Sequence, residues 1–318
     1  MDPVMNGEIA HSRLTNMCDM STQSKRKYES QSEIPITVAM SSKVFNMEKQ
    51  PQSGISTSLG PALSFVKALQ EVNVKLKEHY PESQELFKVL LINDSPSEFD
   101  RLNNAIKIQE LEELITPLIM EKECLINELK KNNTHLYLAA APGLEVQEAL
   151  REGITAAIMN IPETAVEVSE TQLRVVFDGD AVLFSDESER VFRTGLAAFH
   201  EHERKNVDVP MKDGPFKKFL EVLKRLQIKL RNKGLTRNCP IRTYLVTSRS
   251  AGYDGYRALN TLRSWGLEID EAVFLRGSKK GPMLEVIRPH IFFDDQDCHI
   301  TNALQYGIVS CHVKCSSE

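Results

Sequence analysis

Two aspartates separated by a single residue close an apolar run, Val175-Val176-Phe177-Asp178-Gly179-Asp180. Val175 to Phe177 have the composition of a buried strand, and an apolar stretch resumes at Ala181-Val182-Leu183-Phe184. In an open α/β sheet, ligands bind outside the carboxyl ends of the strands. Residues two apart on an extended chain share a side, so Asp178 and Asp180 can face one site. Two carboxylates so placed repel unless a proton or a cation neutralises one of them. A hard divalent ion such as Mg²⁺ is the expected solution, because it takes oxygen ligands and bridges readily to phosphate.

A bare Asp-x-Asp also occurs in solvated turns, so the flanking residues decide. A strand followed by Asp-x-Asp-x-Val or Thr and two apolar residues resembles the first motif of the haloacid-dehalogenase-like phosphotransferases. That resemblance implies three further parts downstream, in fixed order. A strand ending in a hydroxyl fits Arg242-Thr243-Tyr244-Leu245-Val246-Thr247, and a lysine fits Lys280 in Ser278-Lys279-Lys280-Gly281-Pro282. A second strand ending in acid fits His290-Ile291-Phe292-Phe293-Asp294-Asp295. Read alone, Thr247 could cap a helix and a lysine pair could simply be solvated. A paired acid directly after a buried run is costly without a cation. By resemblance, Asp178 attacks phosphorus and forms an aspartyl-phosphate, while Asp180 serves as general acid and then general base. Mg²⁺ would be held by the Asp178 carboxylate, the Asp180 backbone carbonyl and an acid of the Asp294-Asp295 pair. Thr247 and Lys280 would bind the transferring phosphoryl group.

The elements that position these residues are legible as a repeat. Gly60-Pro61 opens a helix with Phe65, Val66, Leu69, Val72 and Leu76, and Gly214-Pro215 opens another with Phe219, Leu220, Leu223, Leu226 and Leu230. The spacing is helical, and each residue of one set stands 154 positions before its counterpart, as Phe65 does before Phe219. Val89 to Ile92 align with Tyr244 to Thr247, and His135 to Ala140 with His290 to Asp295, at an offset of 155. Thr37 to Phe45 align with Val176 to Phe184 at 139. These offsets set Ala39, Ser41, Ile92, Leu125 and Ala139-Ala140 against Asp178, Asp180, Thr247, Lys280 and Asp294-Asp295. The expectation is therefore an α/β protein: a Rossmann-like parallel sheet with helices on both faces and a small cap insertion, preceded by a degenerate copy of itself. Residues 34–160 would form a first lobe without catalytic acids. Residues 171–318 would form the catalytic lobe, with its cap at about 186–213.

The chain has 318 residues, 41% of them hydrophobic, which suits two lobes of roughly 100–150 residues. Its first 33 or so residues are rich in Ser, Asn, Gln and Met without periodicity, and are expected to be disordered. No apolar run is long enough for a signal peptide or a membrane span, so no membrane partner is expected. A net charge of −5 argues against a nucleic-acid polymer as partner. The six cysteines lack paired zinc-type spacing and read as reduced thiols of a cytoplasmic protein. The run Cys298, His299, Cys311, His312 and Cys315 reads as a final strand and its surroundings, not as a metal site.

Longer strings narrow the resemblance. Phe177 to Arg190, Cys239 to Thr247, Thr261 to Leu267 and Ile287 to Gln296 closely resemble the cytosolic 5'-nucleotidases of type I, over about residues 34 to 313. The resemblance implies a Mg²⁺-dependent enzyme hydrolysing nucleoside 5'-monophosphates, AMP prominently, to nucleoside and phosphate. It also brings ADP as an activator and a homo-oligomer into consideration. The first lobe departs from the family: Lys43-Val44-Phe45-Asn46 runs quickly into Gly60, Ile92-Asn93-Asp94 replaces a Thr-Asn-Asn, and Glu121 to Cys124 replaces a glycine-containing stretch. Two other readings stay open at this level: a phosphatase for another small ester, and a catalytically weak interaction protein.

Overall fold

A computed structural model describes residues 34–45, 60–120 and 124–314. The chain divides into two compact units, Met1–Ile34 and Pro35–Glu318. The first, on which the expectation of disorder falls, lies almost wholly outside the described residues.

Within the second unit, aliphatic runs form strands and 3.6-periodic apolar segments form the helices between them. The first half runs β1 (Ile36–Ser41), α1 (Ala62–His79), β2 (Phe87–Asn93), α2 (Pro96–Ile108), β3 (Ile115–Ile119), α3 (Leu125–Lys131), β4 (Thr134–Ala139), α4 (Leu144–Arg151) and β5 (Ala156–Asn160). The second runs β6 (Leu173–Phe177), α5 (Glu187–Phe192), α6 (Leu196–Lys205), α7 (Lys217–Asn232), β7 (Ile241–Thr247), α8 (Tyr253–Ser264), β8 (Glu271–Phe274), α9 (Gly281–Ile287), β9 (Ile291–Asp294), α10 (Asp297–Gln305) and β10 (Ser310–His312). All ten strands join one sheet in the order β3-β2-β1-β4-β5-β10-β9-β6-β7-β8. Pairing is parallel throughout each half and antiparallel only where β5 meets β10. The expected α/β class is therefore observed, with one sheet running through both halves.

The strand order reads the same from either edge inward, so the halves are related by a pseudo-twofold axis at the β5–β10 junction. Their strands' carboxyl ends consequently face opposite edges of the sheet. One face carries a continuous core that includes Phe65, Leu69 and Val72 of α1 and Phe219, Leu223 and Leu226 of α7. The other face carries a separate cluster under each half, with Leu129 and Val146 in the first, and Leu284 and Ala303 in the second. Pro61 stands immediately before α1, whereas Phe216 separates Pro215 from α7, so neither proline lies inside its helix.

Backbone pairing corrects two of the sequence offsets. Met40 pairs with Leu91 and Leu138, and Phe177 pairs with Leu245 and Phe293. Thr37 N donates to His135 Nδ1 at 3.2 Å, and Arg174 N donates to His290 Nδ1 at 3.0 Å. Asn73 Nδ2 reaches Phe87 O just as Gln227 Nε2 reaches Ile241 O. These equivalences require an offset of 137 for β1 against β6 and 154 for β2 against β7. Ser41, Lys43 and Asn93, not Ala39, Ser41 and Ile92, therefore correspond to Asp178, Asp180 and Thr247. Ala139-Ala140 keep their place opposite Asp294-Asp295.

Candidate active site

Parallel pairing of β9, β6 and β7 brings three carboxyl ends side by side. Asp178 follows β6 directly, Thr247 is the last residue of β7, and Asp294 is the last of β9. Asp178 N donates to Phe293 O at 2.8 Å, which locks the two acid-bearing strand ends together. Lys280 precedes α9, and its ammonium sits between two carboxylates, 2.7 Å from Asp178 Oδ1 and 2.7 Å from Asp294 Oδ2. Lys280 is thus shared between the two acids, and Asp178 Oδ1 has no further hydrogen-bond partner. Asp178, Lys280, Asp294 and Thr247 are all buried.

The loop after β6 is held tightly. Ala181 adopts φ 58°, a left-handed conformation costly for a side-chain-bearing residue. Phe184 N returns to Gly179 O at 2.9 Å, and Gly214 N donates to Leu183 O at 2.8 Å. A Cβ on Gly214 would come within 2.3 Å of Phe184 O and 2.4 Å of Val182 O, so only glycine allows the following segment to lie against this loop.

Charge is crowded here. Burial pushes Asp178 up to about 6; Lys280 opposes this, while Asp294 and Asp180 reinforce it. Burial and the charges of Asp178, Asp294 and Glu189 push Asp295 up to about 8. Asp294 behaves oppositely: burial disfavours its charge, yet Lys280 and His299 hold it below the usual carboxylate range. Its oxygens are engaged by Lys280 at 2.7 Å, by Gln296 N at 2.9 Å and by His299 Nδ1 at 3.1 Å. Asp295 Oδ1 is buried without any partner. Ligand atoms of Asp178, Asp294 and His299 lie within 4.8 Å of one another. Buried carboxylate oxygens with unfilled lone pairs, raised proton affinities and a surplus of negative charge fit a hard divalent cation.

Asp180 faces elsewhere. Both of its oxygens are taken by Arg249, Nε to Oδ2 at 2.8 Å and Nη2 to Oδ1 at 2.7 Å. The segment between the β6 loop and Gly214 contributes α5 and α6. Glu203 of α6 accepts from Arg249 Nη1 at 2.6 Å and from Arg257 Nη1 of α8 at 2.9 Å. Arg257 Nη2 in turn reaches Glu187 of α5 at 2.6 Å. For Arg249, burial pulls the pKa down, but Asp180 and Glu203 outweigh it and leave the guanidinium more firmly charged than usual.

Of the six sequence-identified residues, Lys280 thus bridges Asp178 and Asp294, Thr247 and Asp295 lie at or beside the neighbouring strand ends, and Asp180 is turned to Arg249. Arg249 and Glu203 are absent from the sequence reading, which met His299 only within the Cys/His run and set that run aside as a metal site. The one signal for Arg249 is a charge directly past a strand end, in Thr247-Ser248-Arg249. Within the Cys/His run, Cys311 is buried in β10 and His312 contacts Asp297 at 2.9 Å; His299 alone belongs to the cluster with ligand-type spacing among the described residues. Among the described residues, no helix is long and apolar enough to cross a membrane.

A model of the 5'-nucleotidase family matches residues 29–318. Among curated proteins, cytosolic 5'-nucleotidase 1B from Homo sapiens is 46% identical over 261 residues, covering 80% of this chain and 42% of that protein. The chain therefore spans less than half the length of this relative.

Proposed function

The chain belongs to the 5'-nucleotidase family, and we propose that it hydrolyses nucleoside 5'-monophosphates, AMP foremost, to nucleoside and phosphate with Mg²⁺. The observation that carries this reading is the buried Asp178–Lys280–Asp294 cluster at adjacent strand ends, with Asp180 two residues further on. Asp178 is the nucleophile: its carboxylate attacks phosphorus, and the ester bond to the nucleoside oxygen breaks. Asp180 gives that oxygen a proton, then takes one from the water that cleaves the aspartyl-phosphate. Lys280, fixed by Asp294, neutralises phosphoryl charge, and the Thr247 hydroxyl binds a phosphoryl oxygen.

The Asp178 carboxylate, the Asp180 carbonyl and Asp295 would hold the Mg²⁺; Asp295 is favoured over Asp294 because Asp294 is already engaged by three donors. The ion supplies charge neutralisation for the transferring phosphoryl group. Residues 171–318 form the catalytic lobe, with α5 and α6 of its 186–213 segment as the cap. Residues 34–160 form a lobe without chemistry, in which Ser41, Lys43, Asn93 and Ala139-Ala140 occupy the corresponding positions. The relative's name supports a cytosolic location. Phosphate release from AMP, IMP, CMP, deoxynucleotides and sugar phosphates, each with and without Mg²⁺ and ADP, tests substrate, metal and activator together. Mg²⁺-dependent release with AMP ahead of the sugar phosphates is expected; light scattering on the same sample reports whether a homo-oligomer forms.

A further inference from the structure

The reaction assigned above needs Asp180 aimed at the leaving oxygen, and in this structure both of its carboxylate oxygens accept from Arg249. Its carboxylate is gripped in bidentate fashion by Arg249, a geometry that fixes orientation as well as charge. Arg249 has no freedom of its own. It is only 2% exposed, its Nη1 donates to Glu203 at 2.6 Å and to Asp254 O at 2.9 Å, and Glu203 is 1% exposed. Glu203 is further held by Arg257 at 2.9 Å and by Ser188 Oγ of α5 at 2.7 Å. The carboxylate two residues past Asp178 is thus tied through one guanidinium to both helices of the 187–205 segment.

We propose that Arg249 is a positioning residue for proton transfer, orienting Asp180 and coupling that orientation to the α5–α6 segment through Glu203. The inference rests on the proposed phosphate-ester hydrolysis. In the step concerned, the Asp178 oxygen–phosphorus bond forms, the phosphorus–ester oxygen bond breaks, and a proton taken up from water by Asp180, on an oxygen that gives up its Arg249 hydrogen bond to carry it, moves to the departing oxygen. An alkoxide leaving group needs that proton; p-nitrophenolate scarcely does. A side chain that merely supports the fold would affect both kinds of ester alike.

The test compares turnover of AMP, ribose 5-phosphate and p-nitrophenyl phosphate by the wild type and by Arg249→Gln, Arg249→Lys and Glu203→Gln, with thermal unfolding followed for each. Arg249→Gln should lose about 10²-fold on the two alkyl esters, the low end of what general acid–base catalysis is worth. Its loss on p-nitrophenyl phosphate should be at least ten-fold smaller. Arg249→Lys should recover part of the alkyl-ester rate, because it restores charge without the fork. Glu203→Gln leaves the Arg249–Asp180 pair intact and should show the same bias at several-fold. Equal losses on all three esters, or no loss, would overturn the proposal. If Arg249→Gln does not fold, Glu203→Gln decides: an unbiased rate overturns it. A wild type inactive on AMP but active on ribose 5-phosphate would overturn the nucleotide reading alone, and the alkyl–aryl comparison would still decide the role of Arg249. A wild type inactive on all three overturns both.

Discussion

At the scale of single residues, the account turns on Asp178. Replacing it by Asn removes the attacking oxygen and one negative charge while conserving shape. Phosphate release should fall 10³-fold or more, roughly 4 kcal/mol of barrier, with the fold retained by circular dichroism. Turnover at the wild-type level would exclude Asp178 as nucleophile. Asp178, Thr247, Lys280 and Asp294-Asp295 were legible in the sequence because each sits at or beside the end of an element that local pattern defines. Arg249 and Glu203 were not, because their meaning lies in a pair 46 residues apart that only the tertiary fold creates. Sequence alone treats Asp294 and Asp295 alike, whereas in the structure Asp294 is engaged by Lys280, Gln296 N and His299 and Asp295 Oδ1 has no partner, which is the ground for proposing Asp295 as the metal ligand.

At the scale of elements, helix periodicity carried the repeat correctly and β4 kept its offset against β9, while β1 and β2 slipped. For β1 the offset error is two residues, which keeps every side chain on its proper face and so leaves the hydrophobic pattern undisturbed. For β2 the error is one residue, which exchanges faces. It passed unnoticed because Val89-Leu90-Leu91-Ile92 is apolar on both sides and has no alternation to break. The loop after β6 gives the element-scale prediction. Gly214→Ala places a methyl group into the Val182 and Phe184 carbonyls, so this variant should lose about 1–3 kcal/mol of stability, the usual cost of overpacking. Its turnover should fall as well, since the displaced loop carries Asp180. Thermal unfolding and phosphate release measure both; a wild-type melting temperature would contradict the packing argument.

At the scale of the molecule, two similar halves share one sheet but send their strand ends to opposite edges, so the Ser41 cavity is remote from Asp178. That cavity, lined by Ser41, Lys43, Asp94, Leu125, Ala139-Ala140 and Glu145 among others, has its lysine paired with Asp94 at 2.6 Å, and at the positions where the other half gathers four aspartates it carries Ser41, Lys43 and Ala139-Ala140. Ser41→Ala should therefore leave basal turnover within a few-fold, since no transition-state contact is lost; abolished activity would give this lobe a role in the chemistry. Proton linkage in the other half has a definite sign. Asp178 and Asp295 hold protons up to about 6 and about 8 in the folded protein, whereas unfolded carboxylates release theirs near 4. Buried His290, held down to about 4, opposes this at the acid end; between about pH 6.5 and 8 the raised Asp295 leaves the folded state binding more protons, and the metal-free protein should lose stability over that interval. Mg²⁺ should restore stability most at the alkaline end, where its ligands are ionised. Melting temperatures from about pH 6.5 to 8, with Mg²⁺ and with EDTA, measure this; a metal-free protein that gains stability over that range would contradict it.

The central claim is covalent phosphoryl transfer to Asp178, and acid quenching of the wild type during turnover of phosphorus-labelled AMP with Mg²⁺ tests it most directly. The account predicts an acid-stable, base-labile phosphate on the peptide containing Asp178, absent from Asp178→Asn. Label on a different residue, or turnover that never places phosphate on the protein, would contradict it.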